Sequence, residues 1–396
     1  MRKLRFMTAG LTAVTVLGLI GANPAASQAT VATVTPGPDW AGPLAPDLPI
    51  AKSYDSAAAG FAAVSGNPMT EWEYRVWCQT GYRHASDAGV GQPVDLPLTD
   101  PRRDLVTPLG YLDSSQAKSM PAGGVRFMDN AWYFGTDYTG MVVTRTPNGS
   151  LLVFDTLTTP ADVQAQLFDQ ARAAGLDLRR ITTIFLGHQH QDHVGGANTI
   201  RDKYAPRAKI IMGAPDAEIV RQRLRDLIAN RDKYTKEEFQ RRLAVIPRTV
   251  NETVKAIPGH TVGMRKIEAG GVETTAVLMP GHTPGQMAVI APVVHNGAKH
   301  NLLVWSGNDN MPAASQYAVS TEFVQGIAKQ AGADAFINTH AYQFAAFAHL
   351  RDLKENPAAH NYLVMGPEGV QQHLAVFALC QRAAAQRLID GTWKEM

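Results

Sequence analysis

Three histidines and an aspartate occupy six consecutive positions in the stretch FLGHQHQDHVGGAN. His188, His190, Asp192 and His193 follow a short apolar run and precede two glycines. Imidazole nitrogens are strong ligands for Zn²⁺, and a carboxylate is an acceptable one. Alternate side chains of an extended segment point the same way, so His188 and His190 can share one ion while Asp192 and His193 turn towards another. The pattern predicts a metal-binding loop beside two adjacent ions.

Further ligands must come from other parts of the chain, because four residues of one loop do not complete two zinc sites. Two histidines lie directly after apolar, strand-like runs: His282 in VLMPGHTPGQMAVI and His340 in AFINTHAY. Loops at strand ends are where a fold collects functional groups. The turn IPGHTVG resembles the first of these and contains His260. We favour His282, because it lies between two clear strand patterns and has the more rigid Thr-Pro-Gly turn.

The elements that must position these residues alternate between strands and helices from about residue 125, which indicates an α/β fold. GMVVTRTPNGSLLVFDTL is typical of two strands joined by a Pro-Asn-Gly turn, and ITTIFLG is the strand that leads into the metal-binding loop. Helical patterns follow at 160–176 and in the charged stretch 216–246, whose charges are expected to face solvent. Asp155, at the end of LLVFD, is a candidate to orient a histidine, with a role in the turn as the alternative.

The N-terminus has the layout of a secretory signal peptide. A basic start is followed by an apolar segment from about Phe6 to Ile20 and by A-x-A-like cleavage sites ending at Ala26 or Ala29. The apolar run is short for a membrane span of about 20 residues, so cleavage is favoured over anchoring. We therefore expect residues 1–29 to be removed and the mature protein to be periplasmic or secreted, without attachment to the membrane.

Charge and composition favour a small-molecule substrate. The formal net charge is +2, and three of the basic residues belong to the predicted signal peptide. A nearly neutral chain offers no field that would hold nucleic acid or an anionic membrane. Residues 30–122 are expected to form an N-terminal extension without a chemical motif, and 123–396 the catalytic domain. The two cysteines, Cys78 and Cys380, form either a disulfide or two separate buried thiols.

The complete set of candidate ligands resembles that of the metallo-β-lactamase superfamily, and most closely the β-lactamase subclass that binds two zincs without a cysteine ligand. The resemblance extends over roughly residues 125 to 390. It implies an αββα sandwich, in which two mixed sheets lie face to face, helices cover the outside, and two Zn²⁺ ions lie in a groove at one edge. It further implies a first zinc held by His188, His190 and His282 and a second held by Asp192, His193 and His340.

The resemblance also implies a hydrolase in which a metal-bound hydroxide opens a cyclic amide or ester. Asp192 would hold the second ion and would orient the nucleophile or shuttle a proton. Many relatives have a bridging aspartate in the segment that reads VWSGNDNMPAAS here. Asn308 occupies that place and Asp309 is adjacent, so a bridging carboxylate stays an open alternative.

The identity of the substrate is open at this stage. The segment around Asn308 lacks the serines that such β-lactamases use to grip the carboxylate of the drug, which makes a lactonase or esterase a second interpretation. Phosphotriester or sulfate-ester hydrolysis on the same two ions is a third, and a non-enzymatic or iron-dependent redox protein a fourth. Asn308 and Tyr342 are the candidate substrate contacts, with core packing as the alternative for Tyr342.

Overall fold

The computed structural model describes residues 49–74, 119–307, 313–341 and 346–391. The predicted signal peptide and the predictions made for Cys78, Asn308, Asp309 and Tyr342 lie outside the described residues. The domain boundaries after residues 29 and 122 also stay predictions.

The first sheet, within the described ranges, has seven strands arranged in chain order. They are β1 (Val125–Met128), β2 (Ala131–Gly135), β3 (Gly140–Arg145), β4 (Leu151–Phe154), β5 (Ile181–Leu186), β6 (Lys209–Gly213) and β7 (Glu252–Val254). Strands β1 to β4 pair antiparallel, and β4 to β7 pair parallel. The parallel strands therefore end at the same edge of the sheet, where their following loops meet.

The second sheet has the order β12-β11-β10-β9-β8. Its strands are β8 (Gly263–Ala269), β9 (Val272–Leu278), β10 (Met287–His295), β11 (Ala298–Trp305) and β12 (Ala335–Asn338). All neighbours pair antiparallel except β11 and β12, which are parallel. The sequence patterns indicated β9 to β12. They missed β8, whose exposed charged residues obscure the apolar alternation on which such a prediction depends.

Helices fill the crossovers and cover both outer faces. Helix α1 is Pro49–Ser65 and α2 is Pro68–Glu73. Helix α3 begins as Pro160–Val163, continues through a π-helical Gln164–Phe168 and ends as Asp169–Ala171. The others are α4 (Gln191–Val194), α5 (Ala197–Lys203), α6 (Ala214–Ala229), α7 (Lys236–Ala244), α8 (Ala314–Gln330), α9 (Ala346–Glu355) and α10 (Gly366–Ile389).

Alternate residues of the first sheet face two different apolar layers. In β4, Leu152 and Phe154 pack with residues of the second sheet, such as Val277. Leu151 and Val153 pack in the other layer, with apolar residues of α3, α5 and α6. The core of the second sheet continues into α8, α9 and α10. This helix–sheet–sheet–helix arrangement confirms the predicted αββα sandwich.

The charged stretch 216–246 is two helices rather than one continuous helix. Helix α6 ends at Ala229, and α7 begins after Thr235, which forms a capping box with Glu238. No residue of α7 is buried, as expected for a solvated face. Asp216, in the first turn of α6, is a fully buried exception.

The described part of the N-terminal extension packs against the last helix. Ala58 and Ala62 of α1 form a small apolar cluster with Val376 and Cys380 of α10. Cys380 is buried and disulfide-bonded, whereas Cys78, the one other cysteine of the sequence, lies outside the described residues. Among the helices of the described ranges, none is long and apolar enough to cross a lipid bilayer.

A buried histidine in α10 should make the protein sensitive to acid. Burial lowers the pKa of His373 from about 6.5 to about 3, and the ring contacts the Thr70 hydroxyl across 3.1 Å. Between these two pH values the unfolded chain binds a proton at this residue that the folded protein does not, so stability falls as the pH falls. From pH 7 to pH 5 the loss should be about 2 kcal/mol. Urea unfolding of metal-free wild type and His373→Gln at both pH values measures it. Equal losses in the two proteins would show that His373 is not the source.

Candidate metal centre

All six candidate ligands lie at one edge of the sandwich, beyond the ends of strands from both sheets. His188 and His190 follow β5, and Asp192 and His193 lie in the short helix α4. His282 lies in the turn between β9 and β10, and His340 follows β12. Two sheets packed face to face bring these ends together although the residues are up to 152 positions apart in the chain.

The first group consists of His188, His190 and His282. His190 Nδ1 is 3.2 Å from His188 Nε2 and 2.9 Å from His282 Nε2, and all three ligand atoms lie within 4.8 Å of one another. Three imidazole nitrogens that bind one tetrahedral zinc at about 2.0–2.1 Å stand about 3.3 Å apart. The donor set and its spacing therefore fit a single small cation.

The second group consists of Asp192, His193 and His340. His193 Nε2 lies 2.9 Å from His340 Nε2, and Asp192 Oδ2 lies 3.2 Å and 3.6 Å from these two nitrogens. The ring centroids of His188 and His193 are 4.0 Å apart, so the two groups are neighbours. One carboxylate and two imidazoles with one side open are a suitable set for a second zinc. The structure thus brings the predicted residues together. His188, Asp192 and His193 also form a set of close donor atoms that overlaps both groups, so the ion that each residue binds stays a prediction.

Asp155 is the central anchor of this edge. Its Oδ2 accepts hydrogen bonds from His193 Nδ1 at 2.7 Å, Ser306 Oγ at 2.8 Å and Thr339 Oγ1 at 2.7 Å, and its Oδ1 accepts one from Gly187 N at 2.7 Å. The residue has a left-handed φ of 62°, a conformation that costs about 1–2 kcal/mol outside glycine. The four hydrogen bonds hold it there. The orienting role considered for Asp155 is therefore present in the structure.

Hydrogen bonds also set the direction of His188 and His340. The Ser306 hydroxyl donates its one proton to Asp155, so its oxygen accepts a hydrogen bond from His188 Nδ1, 3.1 Å away. His188 therefore keeps the lone pair of its Nε2 for a ligand. His340 Nδ1 donates to the Tyr138 carbonyl at 2.9 Å with the same effect. Gly187 is required here, because a Cβ at this position would come within 2.1 Å of Ser306.

Burial keeps most of these histidines in the neutral form that binds metal. Burial first, and the neighbouring imidazoles second, hold the pKa of His188 and that of His282 well below the ordinary value. Burial and the adjacent His193 lower the pKa of His340 to about 4. Near neutral pH these rings offer lone pairs rather than protons.

His193 behaves differently because two carboxylates flank it. Burial alone lowers its pKa, but Asp192 and Asp155 outweigh that effect and raise the pKa of His193 to about 10. Burial also opposes the ionisation of Asp192, yet His193 and His340 hold the pKa of Asp192 well below its usual range. Without a cation, a proton therefore occupies His193, at the place where a second ion would bind.

The centre has one open side with a cavity on each flank. His188, His193 and His340 are buried, whereas His190, Asp192 and His282 are only partly buried. A cavity of about 410 Å³ lies against α6 and α7. We call it the arginine cavity, and its lining includes Gln189, Gln191, Arg223, Leu227, Tyr234 and Arg242. A second cavity of about 570 Å³ adjoins His282. We call it the proline cavity, and its lining includes Pro215, Thr261, Leu278, Pro280 and Pro284.

Asp216 joins the two loops that supply the first group, and sequence reasoning missed it. Its Oδ2 accepts hydrogen bonds from Gln189 N at 2.9 Å and Thr283 Oγ1 at 2.6 Å, while its Oδ1 accepts one from Gly285 N at 2.7 Å. The residue lies in the first turn of α6, which follows β6 at the same edge as the metal-binding loop. That position was the available signal, but the charged stretch around it predicted a solvated side chain.

The two look-alike turns have different surroundings. His282 faces the metal-binding loop, whereas His260 lies exposed in the loop between β7 and β8. The preference for His282 agrees with this geometry. Two histidines outside the centre have polar partners of their own: His300 Nδ1 contacts Asp334, and His349 contacts the side chain of Asn361.

Comparison with known proteins gives a family match for the centre of the chain. Residues 138–293 match the family model described as the metallo-beta-lactamase superfamily, and this range contains the metal-binding loop and His282. Among curated proteins no sequence matches this chain.

Several solved metallo-beta-lactamases are similar in structure. The subclass B3 enzyme BJP-1 of Bradyrhizobium japonicum is 19% identical with a TM-score of 0.49, and the match covers 69% of this chain and 96% of that one. A metallo-beta-lactamase of Cronobacter sakazakii is 17% identical with a TM-score of 0.49, over 67% of this chain and 97% of that one. The family match over residues 138–293 and the αββα sandwich thus agree in relating the centre of this chain to the metallo-beta-lactamase superfamily.

Proposed function

We propose that this chain is a periplasmic or secreted dinuclear zinc hydrolase that opens a cyclic amide or ester in the manner of a β-lactamase. The observation that carries the proposal is the convergence of five histidines and Asp192 in two adjacent groups with zinc-like spacing. The match to a superfamily of metal-dependent hydrolases that act on small molecules supports the reaction class. The signal-peptide pattern at the N-terminus supports export.

Zinc, when bound, would make water ionise near neutral pH and would polarise a carbonyl oxygen. The residues of the chain do the rest. Asp155 and Ser306 hold His193 and His188 in the tautomers that present Nε2 to an ion. Asp192 is anionic, and it would orient the attacking water or carry its proton to the leaving nitrogen or oxygen.

A lactonase or esterase is the second candidate, and the proline cavity favours it. The cavity adjoins His282 and is lined largely by apolar groups, among them Pro280, Pro284 and Leu278. An acyl chain or an aryl leaving group would bury apolar surface there. The substrate contacts proposed for Asn308 and Tyr342 apply to either candidate.

An activity screen of zinc-loaded mature protein tests the proposal. The panel contains nitrocefin, several lactones, a paraoxon-like phosphotriester and a sulfate ester, each measured with and without a chelator. We expect hydrolysis of nitrocefin or of a lactone. Chelation and His188→Ala should each lower it at least about 100-fold, since loss of even an outer partner of a metal ligand costs about 10- to 100-fold.

Metal analysis by mass spectrometry accompanies the screen. Two equivalents of zinc per chain are expected. Hydrolysis that survives both the chelator and His188→Ala would contradict the zinc mechanism. Turnover of only the phosphotriester or the sulfate ester would move the proposal to that reaction, and iron in place of zinc would favour the redox alternative.

A further inference from the structure

The arginine cavity adjoins the outer side of the metal centre. Gln189 and Gln191, which line it, flank His190 in the metal-binding loop. Arg223 donates from Nη1 to the carbonyl oxygen of Gln189, the residue before His190, which places its guanidinium group beside the metal-binding loop. A substrate bound at the partly buried His190 therefore has the arginine cavity beside it.

Two arginines of this cavity lack carboxylate partners. Arg223 donates from Nη1 to the Gln189 carbonyl at 2.9 Å, and the Arg242 guanidinium stacks over the ring of Tyr234 at 4.8 Å. Within the part of the chain that the structure describes, neither forms an ion pair. Arg225, in the same helix as Arg223, is paired with Glu218. The two guanidinium groups thus keep N–H donors for an external anion.

One carboxylate also lines the cavity, and it does not neutralise both arginines. Asp226 Oδ1 accepts a hydrogen bond from the Gln222 side chain at 2.7 Å and is in no ion pair within the described residues. Asp216 and Glu238 also act electrostatically on Arg223 and Arg242 from outside the cavity lining, but neither carboxylate forms an ion pair with them within the described residues. Planar guanidinium groups are well suited to bind a carboxylate through two parallel hydrogen bonds.

A buried acceptor in the cavity wall adds a second requirement for the ligand. The side chain of Gln189 is buried, and its Oε1 has no hydrogen-bond partner among the described residues. Buried polar atoms are normally paired, with protein, water or ligand. A ligand that complements this wall therefore has an N–H or O–H donor close to its anionic group.

We propose that the arginine cavity binds the carboxylate of the substrate, held by Arg223 and Arg242, with a neighbouring N–H or O–H of the substrate donating to Gln189 Oε1. The proposal rests on the proposed function where it calls the ligand a substrate. It assigns the enzyme to cyclic amides or esters that carry a carboxylate. The segment around Asn308 lacks the serines that related β-lactamases use to bind the carboxylate of the drug. In this proposal the two arginines bind the carboxylate instead.

The test compares nitrocefin, which carries a carboxylate, with its neutral methyl ester, and a carboxylated dihydrocoumarin with dihydrocoumarin itself. In the double variant Arg223→Gln/Arg242→Gln, the KM of the carboxylated substrate should rise at least about tenfold, because a charge-assisted hydrogen bond is lost. Its kcat should change less than about twofold, and the kinetics of the neutral substrate should stay the same. Arg225→Gln is the matched control and should leave all four substrates unaffected.

A binding measurement separates this proposal from the proposed function. Calorimetric titration of the zinc-loaded protein with N-benzoylglycine, an amide-bearing carboxylate, requires no turnover. Binding to wild type and to Arg225→Gln, but weakened at least about tenfold in the double variant, supports the cavity even if no substrate is hydrolysed. Equal KM changes for charged and neutral substrates, or binding that the double variant retains, would overturn the assignment.

Discussion

His282→Ala should release metal and abolish hydrolysis, whereas His260→Ala should leave both unchanged. The two histidines occupy nearly the same local sequence, PGHTPG and PGHTVG. Only His282 reaches the metal-binding loop, with Nε2 2.9 Å from His190 Nδ1, while His260 is exposed between β7 and β8. We expect kcat/KM to fall at least about 100-fold in His282→Ala, as for His188→Ala.

Mass spectrometry of bound metal and steady-state kinetics measure this result for both variants side by side. The bound zinc of His282→Ala should drop towards one equivalent per chain, since the second group keeps its three residues. Thermal unfolding of the chelated proteins provides the control for folding. If His260→Ala lost metal and His282→Ala kept it, the assignment of the first group would be wrong.

The second large effect is expected at Asp155, a residue that touches no metal position. Asp155→Asn replaces one acceptor oxygen by an N–H₂ group and removes the negative charge beside His193, so the ring is no longer held with its proton on Nδ1 and can carry it on Nε2. A protonated Nε2 cannot bind an ion. Affinity for the second metal and kcat/KM should each fall about 10- to 100-fold, the usual cost of losing such an orienting partner.

Asp155→Ala should also destabilise the protein, because it removes both acceptor oxygens. Gly187 N–H and the hydroxyl of Thr339 would lose their partner in a fully buried environment, and the free energy of unfolding should fall by about 3–5 kcal/mol. Comparison of the two variants therefore separates positioning from stability. Asp155→Asn should lose metal affinity with most of its stability retained.

Asp334→Asn is the matched control for this experiment. Asp334 Oδ2 contacts His300 Nδ1 at 2.8 Å, in an aspartate–histidine pair outside the metal centre. This variant should keep its metal affinity, measured by competition with a chelating dye. If Asp155→Asn and Asp334→Asn bound zinc equally well, the orienting role of Asp155 would have to be abandoned.

Local sequence was sufficient for the metal-binding loop and for most of the strands. The crowding of His188, His190, Asp192 and His193 into six positions after an apolar run needs no tertiary information, because the donor atoms are already neighbours in the chain. Runs of apolar and β-branched residues predicted β3, β4 and β5 for a similar reason, because strands that are buried on both faces are apolar along nearly their whole length. The edge strand β8 was not predicted, because its solvent-facing residues are charged.

Tertiary structure alone decided which distant residues complete and support the centre. His193 and His340 are 147 positions apart in the chain, yet their Nε2 atoms are 2.9 Å apart in the structure. The sequence alone does not show this proximity. The same is true of Asp155 with Ser306, of Asp216 with Gly285, and of Arg223 with Arg242, which line one cavity. A residue type states which chemistry a side chain can perform. The packing of two sheets decides which side chains perform it together.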